Sequence, residues 1–293
     1  LRTERGPDDP PVIVGGPLTQ SNALPLGHFA DAVVMGEAEH ALQTLLDVLE
    51  SDPDAAALAA ALCDEPGFWV PAKHHDAVPD VLSVRGDAIP ARGQWRSGEA
   101  EFRDMMLLET SRGCPRYCGF CVVRAPASPM RSPELERVVA ALDEPAYRDA
   151  PRVGFVGAAV SDWPFIKDAL RAAVERGKGV GISSLRADRL DEEFVGLLRD
   201  GGYKTLTVAS DAASQRLRGK MMKGLRERHF LAAAELARAA GLSQLKLYVI
   251  LGLPDETDAD LDELVDLCQR LSRRVRLAIT ISPFVPKLHT PLA

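Results

Sequence analysis

The sequence predicts an α/β protein: a partial (β/α)6 barrel of parallel strands, preceded by a shorter stretch of strands and helix in the same alternating order. Three observations carry this reading. From Met105 onward, strand-like runs and helix-like stretches alternate regularly to the end of the chain. The strand-like runs are short, apolar and rich in β-branched residues, as strands covered on both faces require. Gly, Pro and Asp punctuate the joins, so each run stops before it could become a long helix.

The elements justify themselves in order. Residues 12–16 (VIVGG) and 31–36 (DAVVMG) are buried strands closed by glycine, and 36–50 carries apolar residues at helical spacing. Residues 52–104 mix Pro, Gly and charge, with AALAAAL as the one clear helix. Residues 67–82 read as a strand or hairpin ending in a proline-rich tether. His74 and His75, adjacent on such a strand, point to opposite faces and are expected on the surface. MMLLETSRG is the first barrel strand; SPELERVVAAL is its helix, with Ser132 as cap and Pro133 at the first position. RVGFVG, GVGISSLRAD, TLTVASD, LKLYVILGLP and RLAITISPFVP are the remaining strands. The intervening helices fall at 165–177, 191–202, 227–241 and 258–271, and Gly201 or Gly202 ends the second of these. Parallel barrels and open α/β sheets carry their sites at the C-terminal ends of the strands.

The domains expected are 1–50, a linker with helix and hairpin over 51–104, and the barrel over 105–293. A length of 293 residues and 46% apolar content allow two domains with sizeable cores. No apolar run approaches the ~20 residues of a membrane span, and no signal peptide opens the chain. The expected location is cytoplasmic, with no membrane partner. Five Cys, three of them clustered, argue against a secreted disulfide framework, and Cys63 and Cys268 read as small buried thiols. A net charge of -7 offers no broad basic surface, so a nucleic-acid partner is not expected. The chain starts at Leu1 and ends soon after a strand; both ends read as cuts through a longer protein.

The chemistry is concentrated in ETSRGCPRYCGFC, where Cys114, Cys118 and Cys121 stand in CxxxCxxC spacing directly after the first barrel strand. Three soft thiolates so close suit an iron–sulfur cluster or zinc. No fourth ligand follows nearby, which leaves one metal position open as in catalytic sites. The alternative is a zinc knuckle that borrows a distant ligand.

CxxxCxxC with Phe120 before the third Cys resembles the radical S-adenosylmethionine superfamily. The resemblance implies a 4Fe-4S cluster on the three Cys, whose fourth iron is chelated by S-adenosylmethionine. It further implies cofactor contacts after each strand. Gly157 and Ala158 stand where a glycine-rich, acid-ending segment is usual; the acid is missing, so backbone carbonyls would serve. Ser183, Ser184 and Arg186 would meet ribose and carboxylate. TVASDAASQRLRGKMMK resembles the family's TxAPEAGSxRLRxxxxK, with Asp211 in place of Glu and Lys223 matching. YVILGLPDET resembles GLPGET, with Gly252 against the adenine, and PFVPKLHTP resembles PFxPKPxTP. Upstream, the strands with Gly15 and Gly16 resemble the C-terminal remnant of a flavodoxin-like (Rossmann-type) cobalamin-binding sheet, whose early strands are absent here. A chain lacking them is expected to bind cobalamin poorly.

The implied activity is reductive cleavage of S-adenosylmethionine, with cobalamin-dependent methyl transfer as the specific form. It implies a small-molecule or peptide substrate and an electron donor such as flavodoxin or ferredoxin. Two other classes stay open: a methylthiotransferase-like RNA modifier, which usually adds upstream cysteines and a basic domain, and a non-catalytic zinc module.

Overall fold

The structure is a computed structural model that describes residues 1–6, 8–84, 89–124 and 128–293. The chain forms two compact units, one of residues 1–88 with 286–293 and one of residues 89–285.

In the first unit, β1 (Ile13–Val14) pairs parallel with β2 (Ala32–Val34), with Ile13 opposite Ala32. Alternate residues bury on opposite faces. Ala32 and Val34 pack with Leu45 of α1 (Ala38–Leu49) and with Leu58 and Leu62 of α2 (Ala55–Leu62). Val33 packs on the other side with Met35 and Trp69. This two-sided burial is why the run reads as uniformly apolar. The segment expected as a linker instead completes this sheet: β3 (Phe68–Trp69) pairs antiparallel with β2, so the sheet is mixed. Part of that segment, residues 85–88, lies outside the described residues. Helix α3 (Pro71–His74) follows at once, so His74 and His75 do not share a strand. His74 is half-buried: its Nδ1 accepts from Val70 N–H at 3.0 Å and its Nε2 reaches the Cys63 carbonyl at 2.8 Å. The two bonds together require the Nε2–H tautomer. His75 is exposed, as expected, whereas Cys63 and Cys268 are half-buried rather than buried.

The second unit holds the parallel β/α repeat. β4 (Met105–Glu109), β5 (Arg152–Val156) and β6 (Gly179–Ile182) form one parallel sheet, and β7 (Thr205–Ala209), β8 (Gln244–Leu251) and β9 (Leu277–Pro283) a second. The expected six strands are therefore present, in the expected order, as two ladders of three. Between the ladders Val180 N–H donates to the Gly201 carbonyl at 2.9 Å, and Ile182 N–H donates to the Tyr203 hydroxyl at 2.7 Å. β6 is short and half glycine, so it has little chain with which to pair a second neighbour.

Burial alternates along the strands. Leu206 and Val208 of β7 and Leu245, Leu247 and Val249 of β8 are buried beneath α9 (Glu227–Ala239) and its Phe230, Ala233 and Ala237. Thr205, Thr207 and Ala209 turn to the barrel interior and are only half-buried. Along β4 to β6, α4 (Leu135–Asp143), α6 (Ile166–Glu175) and α7 (Glu192–Asp200) follow their strands, with a single turn, α5 (Pro145–Arg148), between α4 and β5. Helix α4 begins two residues later than expected, at Leu135, and Ser132 does not cap it. Glu134, in extended backbone, takes the N-cap position, and the helix starts where Val138, Ala141 and Leu142 can bury. Among the described residues no helix is long and apolar enough to cross a membrane.

Candidate active site

A cavity of about 520 Å³ opens at the C-terminal ends of the barrel strands, with Cys114, Cys118, Phe120 and Cys121 on one wall. The cysteine loop is built to stay there. Gly113 has φ +76°, and a Cβ on it would stand 2.3 Å from the Pro129 carbonyl oxygen, so only glycine lets the chain pass. Arg112 and Arg131 exchange backbone hydrogen bonds of 2.8 Å, and Cys114 N–H donates to the Ser128 carbonyl at 3.0 Å. Gly119 N–H donates to the Met221 carbonyl at 3.0 Å, tying the loop to the end of α8 (Gln215–Lys220).

Charge pairs fix the remaining walls. Arg116, between the first two cysteines, is paired with Asp162, whose side chain is 1% exposed. Asp162 also accepts from Arg189 Nε at 2.9 Å. An acid does stand five residues beyond Gly157, but it is engaged by two guanidinium groups. Gly157 is pressed against the first strand's loop: a Cβ there would lie 2.3 Å from Ser111 Oγ and 2.4 Å from the Ser111 carbonyl oxygen. Its carbonyl accepts from Ser183 Oγ at 2.8 Å and from Ser184 Oγ at 3.3 Å. Both hydroxyls therefore join the loops after β5 and β6. Arg186 donates to both carboxylate oxygens of Asp188, at 3.0 and 3.1 Å, and to the Lys223 carbonyl at 3.2 Å. Asp211 sits at φ +55°, a left-handed conformation that Asp tolerates better than most residues, and pairs with Lys223.

Of the residues singled out from sequence, the three cysteines, Phe120, Ala158, Ser183, Ser184, Arg186, Asp211 and Lys223 line this one cavity. Gly157 supports it from behind. Gly252 is not in its wall; at φ +80° it donates its N–H to Glu256 Oε1 at 2.8 Å and shapes the turn into α10 (Asp258–Ser272). Gly15 and Gly16 belong to the other unit, where Gly16, at φ +96°, opens a single helical turn after β1. Sequence reasoning missed Arg116, Asp162, Tyr203 and Tyr248, which also line the cavity. Arg116 lay inside the cysteine motif and was the one findable signal.

The thiols suit a bound cation. Burial pushes the Cys114 thiol up, with the neighbouring thiols and Asp162 adding to it. Burial also raises Cys118, while Lys223 and Arg186 pull it back. Thiols that resist ionisation alone become thiolates when coordinated to a metal. Among the described residues no three His, Cys, Asp or Glu side chains converge on one point that a single ion could fill. A 4Fe-4S cluster takes each thiolate on a different iron, so the three need not meet at a single ion.

Comparison with known proteins agrees. The model of the Radical SAM superfamily matches residues 108–268, and that of the N-terminal region of radical SAM proteins matches residues 1–71. An uncharacterised protein of Methanocaldococcus jannaschii is 31% identical over 280 residues, 95% of this chain and 60% of that protein. An uncharacterised methyltransferase of Pyrococcus horikoshii is 25% identical over 283 residues, 89% of this chain and 58% of its own. The chain therefore spans about 60% of the curated relatives it matches. The structure of the cobalamin-dependent S-adenosylmethionine radical enzyme OxsB with aqua-cobalamin bound superposes with a TM-score of 0.60 at 16% identity, covering 92% of this chain and 40% of that one. At that identity the likeness is one of fold, and it extends the partial barrel seen here to a solved example. With its cysteine motif inside a family match that covers more than half its length, the chain is a member of the radical SAM superfamily.

Proposed function

We propose that the cavity at the strand ends holds a 4Fe-4S cluster on Cys114, Cys118 and Cys121 with S-adenosylmethionine beside it, and that the whole protein performs cobalamin-dependent methyl transfer. The observation that carries the first part is the meeting of three thiols, Arg186 and Lys223 in one cavity. Held by Cys114, Cys118 and Cys121, a reduced cluster would supply the electron for reductive cleavage of S-adenosylmethionine bound beside it. This chain's residues bind and orient. Phe120 lines the cavity beside the thiols, and the Arg116–Asp162–Arg189 set holds the cysteine loop against the loop after β5. Arg186, turned toward Asp188 here, offers a planar fork suited to a carboxylate. Lys223 supplies a positive charge beside Cys118 that favours its thiolate.

Cobalamin is suggested by the fold shared with OxsB, a cobalamin-dependent enzyme, and methyl transfer by the name of the Pyrococcus relative. In the first unit the open space around Gly16, at the C-terminal end of β1, suits the approach of a large ligand to the backbone. The reaction needs a one-electron reductant of the flavodoxin or ferredoxin kind.

Anaerobic reconstitution should load iron and sulfide in equal amounts, with an electron paramagnetic resonance signal that changes when S-adenosylmethionine is added. Changing any of the three cysteines to Ala should abolish the cluster. Stoichiometric zinc without iron or sulfide in anaerobically purified protein would overturn the reading. Cobalamin is tested by the absorbance retained by the full-length protein after reconstitution; none retained would remove methyl transfer.

A further inference from the structure

The barrel interior continues beyond the candidate active site. A second cavity of about 410 Å³ lies toward the N-terminal ends of β4 to β7 and shares Ile182, Ser183 and Tyr203 with the first. Gly154 and Gly181 line it without side chains, and the Met105 side chain packs into the room they leave. A Cβ on Gly154 would stand 2.7 Å from Met105 Sδ, and one on Gly181 would stand 3.0 Å from Met105 Cε. The shaft is apolar, walled by Met105, Leu107 and Val180. At its outer end stand Phe102, 58% exposed, with Arg152 and Lys204.

Arg152 and Lys204 are the charged groups of this cavity, and among the described residues no carboxylate lines it. Among the described residues neither takes part in an ion pair. The chain is not short of acids, with 42 Asp and Glu against 35 Lys and Arg, so leaving two cations unopposed in one cavity is not forced by composition. In the upper cavity, by contrast, Arg116, Arg186 and Lys223 each face a carboxylate. Tyr203 stands at the neck, lining both cavities, and its hydroxyl accepts from Ile182 N–H at 2.7 Å.

We propose that the lower cavity takes the anionic end and adjoining apolar body of the substrate: an elongated amphipathic carboxylate or phosphate, held at its charged end by Arg152 and Lys204, with its chain running up the glycine-lined shaft. Only the identity of the reacting end, in the upper cavity, rests on the radical reading above. An apolar chain gains by leaving water for the shaft, and a bidentate guanidinium with a nearby ammonium recognises either anion.

The test is calorimetry on the anaerobic, cluster-loaded chain with decanoate, decyl phosphate, decanol and inorganic phosphate, each below its aggregation limit. At least one of the two alkyl anions should bind roughly tenfold or more tightly than both decanol and inorganic phosphate. The double variant Arg152→Gln with Lys204→Gln should lose that preference. Decanol binding as well as both anions, or an undiminished preference in the double variant, would overturn the proposal. If the double variant does not fold by circular dichroism, each single variant should lose part of the preference, and its retention in both would count against the proposal equally. Iron, sulfide and S-adenosylmethionine binding measured on the same wild-type sample separate the two readings, because their failure sinks the cofactor assignment and leaves the anion result standing.

Discussion

The upper and lower ends of the barrel interior share strands β4 to β7 yet treat charge in opposite ways. Above, Asp162, Asp188 and Asp211 neutralise the guanidinium and ammonium groups around the cysteine loop, and the loops after β4, β5 and β6 are stitched to one another by hydroxyl and backbone bonds. Below, the wall is mostly apolar, and among the described residues Arg152 and Lys204 have no ion-pair partner. Pairs made in advance hold a fixed shape for cofactors that must sit in one place. Unpaired charge over an apolar shaft suits something that comes and goes.

The largest effect that would break this contrast lies at Asp162. Its side chain is buried at 1% exposure, while Arg116 and Arg189 are 28% and 49% exposed. Removing one partner of a fully buried pair typically costs about 3–5 kcal/mol; water access to the two arginines lowers the expectation for Asp162→Asn to roughly 2–4 kcal/mol. Urea unfolding measures it, and cluster loading should fall with it. Arg152→Gln, in the lower half, should change stability by no more than about 0.5 kcal/mol. Equal losses at the two sites would mean that the upper pairs do not hold the loops.

Glycine sharpens the same comparison on a smaller scale. Gly157→Ala would press a methyl group into the Ser111 backbone, which cannot swing away, so a loss of roughly 1–3 kcal/mol is expected. Gly181→Ala meets only the flexible end of Met105 and should cost less. Thermal unfolding of the two variants side by side decides it, and the reverse order would show that the shaft, not the upper loops, is the tightly packed region.

How far these features were legible follows from how local they are. The cysteine loop, the strand order and Ser183, Ser184 and Arg186 could be read because each signal lies within a few residues of a strand end. Arg116 and Asp162 are 46 residues apart, and their pairing depends on how β4 and β5 align. Gly154 and Gly181 looked like ordinary strand residues; only the register that sets them beside Met105 gives them meaning. Likewise Phe68–Trp69 gave no sign of direction, since an antiparallel partner for β2 carries the same buried pattern as a parallel one. The break between β6 and β7 was hidden because alternation predicts strands, not which ladders join.

The smallest effect concerns a charge set outside the barrel interior, at the start of α10, where Asp260 is buried and accepts from Thr257 N–H at 2.9 Å and from Thr257 Oγ1 at 2.8 Å. Arg216, then Ser214, hold its carboxyl far below the usual carboxylate range, outweighing burial, which pushes the other way. A carboxyl depressed in the folded chain relative to about 3.9 in the unfolded one gives stability that is present above pH ~4 and lost as pH falls toward the folded value. Wild type should therefore melt above Asp260→Asn by a constant margin between about pH 5 and 7, and the margin should shrink below pH ~4 as the unfolded chain takes up the proton first. Melting curves for both proteins across that range give the answer. If the two profiles stay parallel into acid, the ionised Asp260 adds nothing beyond its neutral hydrogen bonds, and paired charge would be a stabilising device in the barrel interior alone.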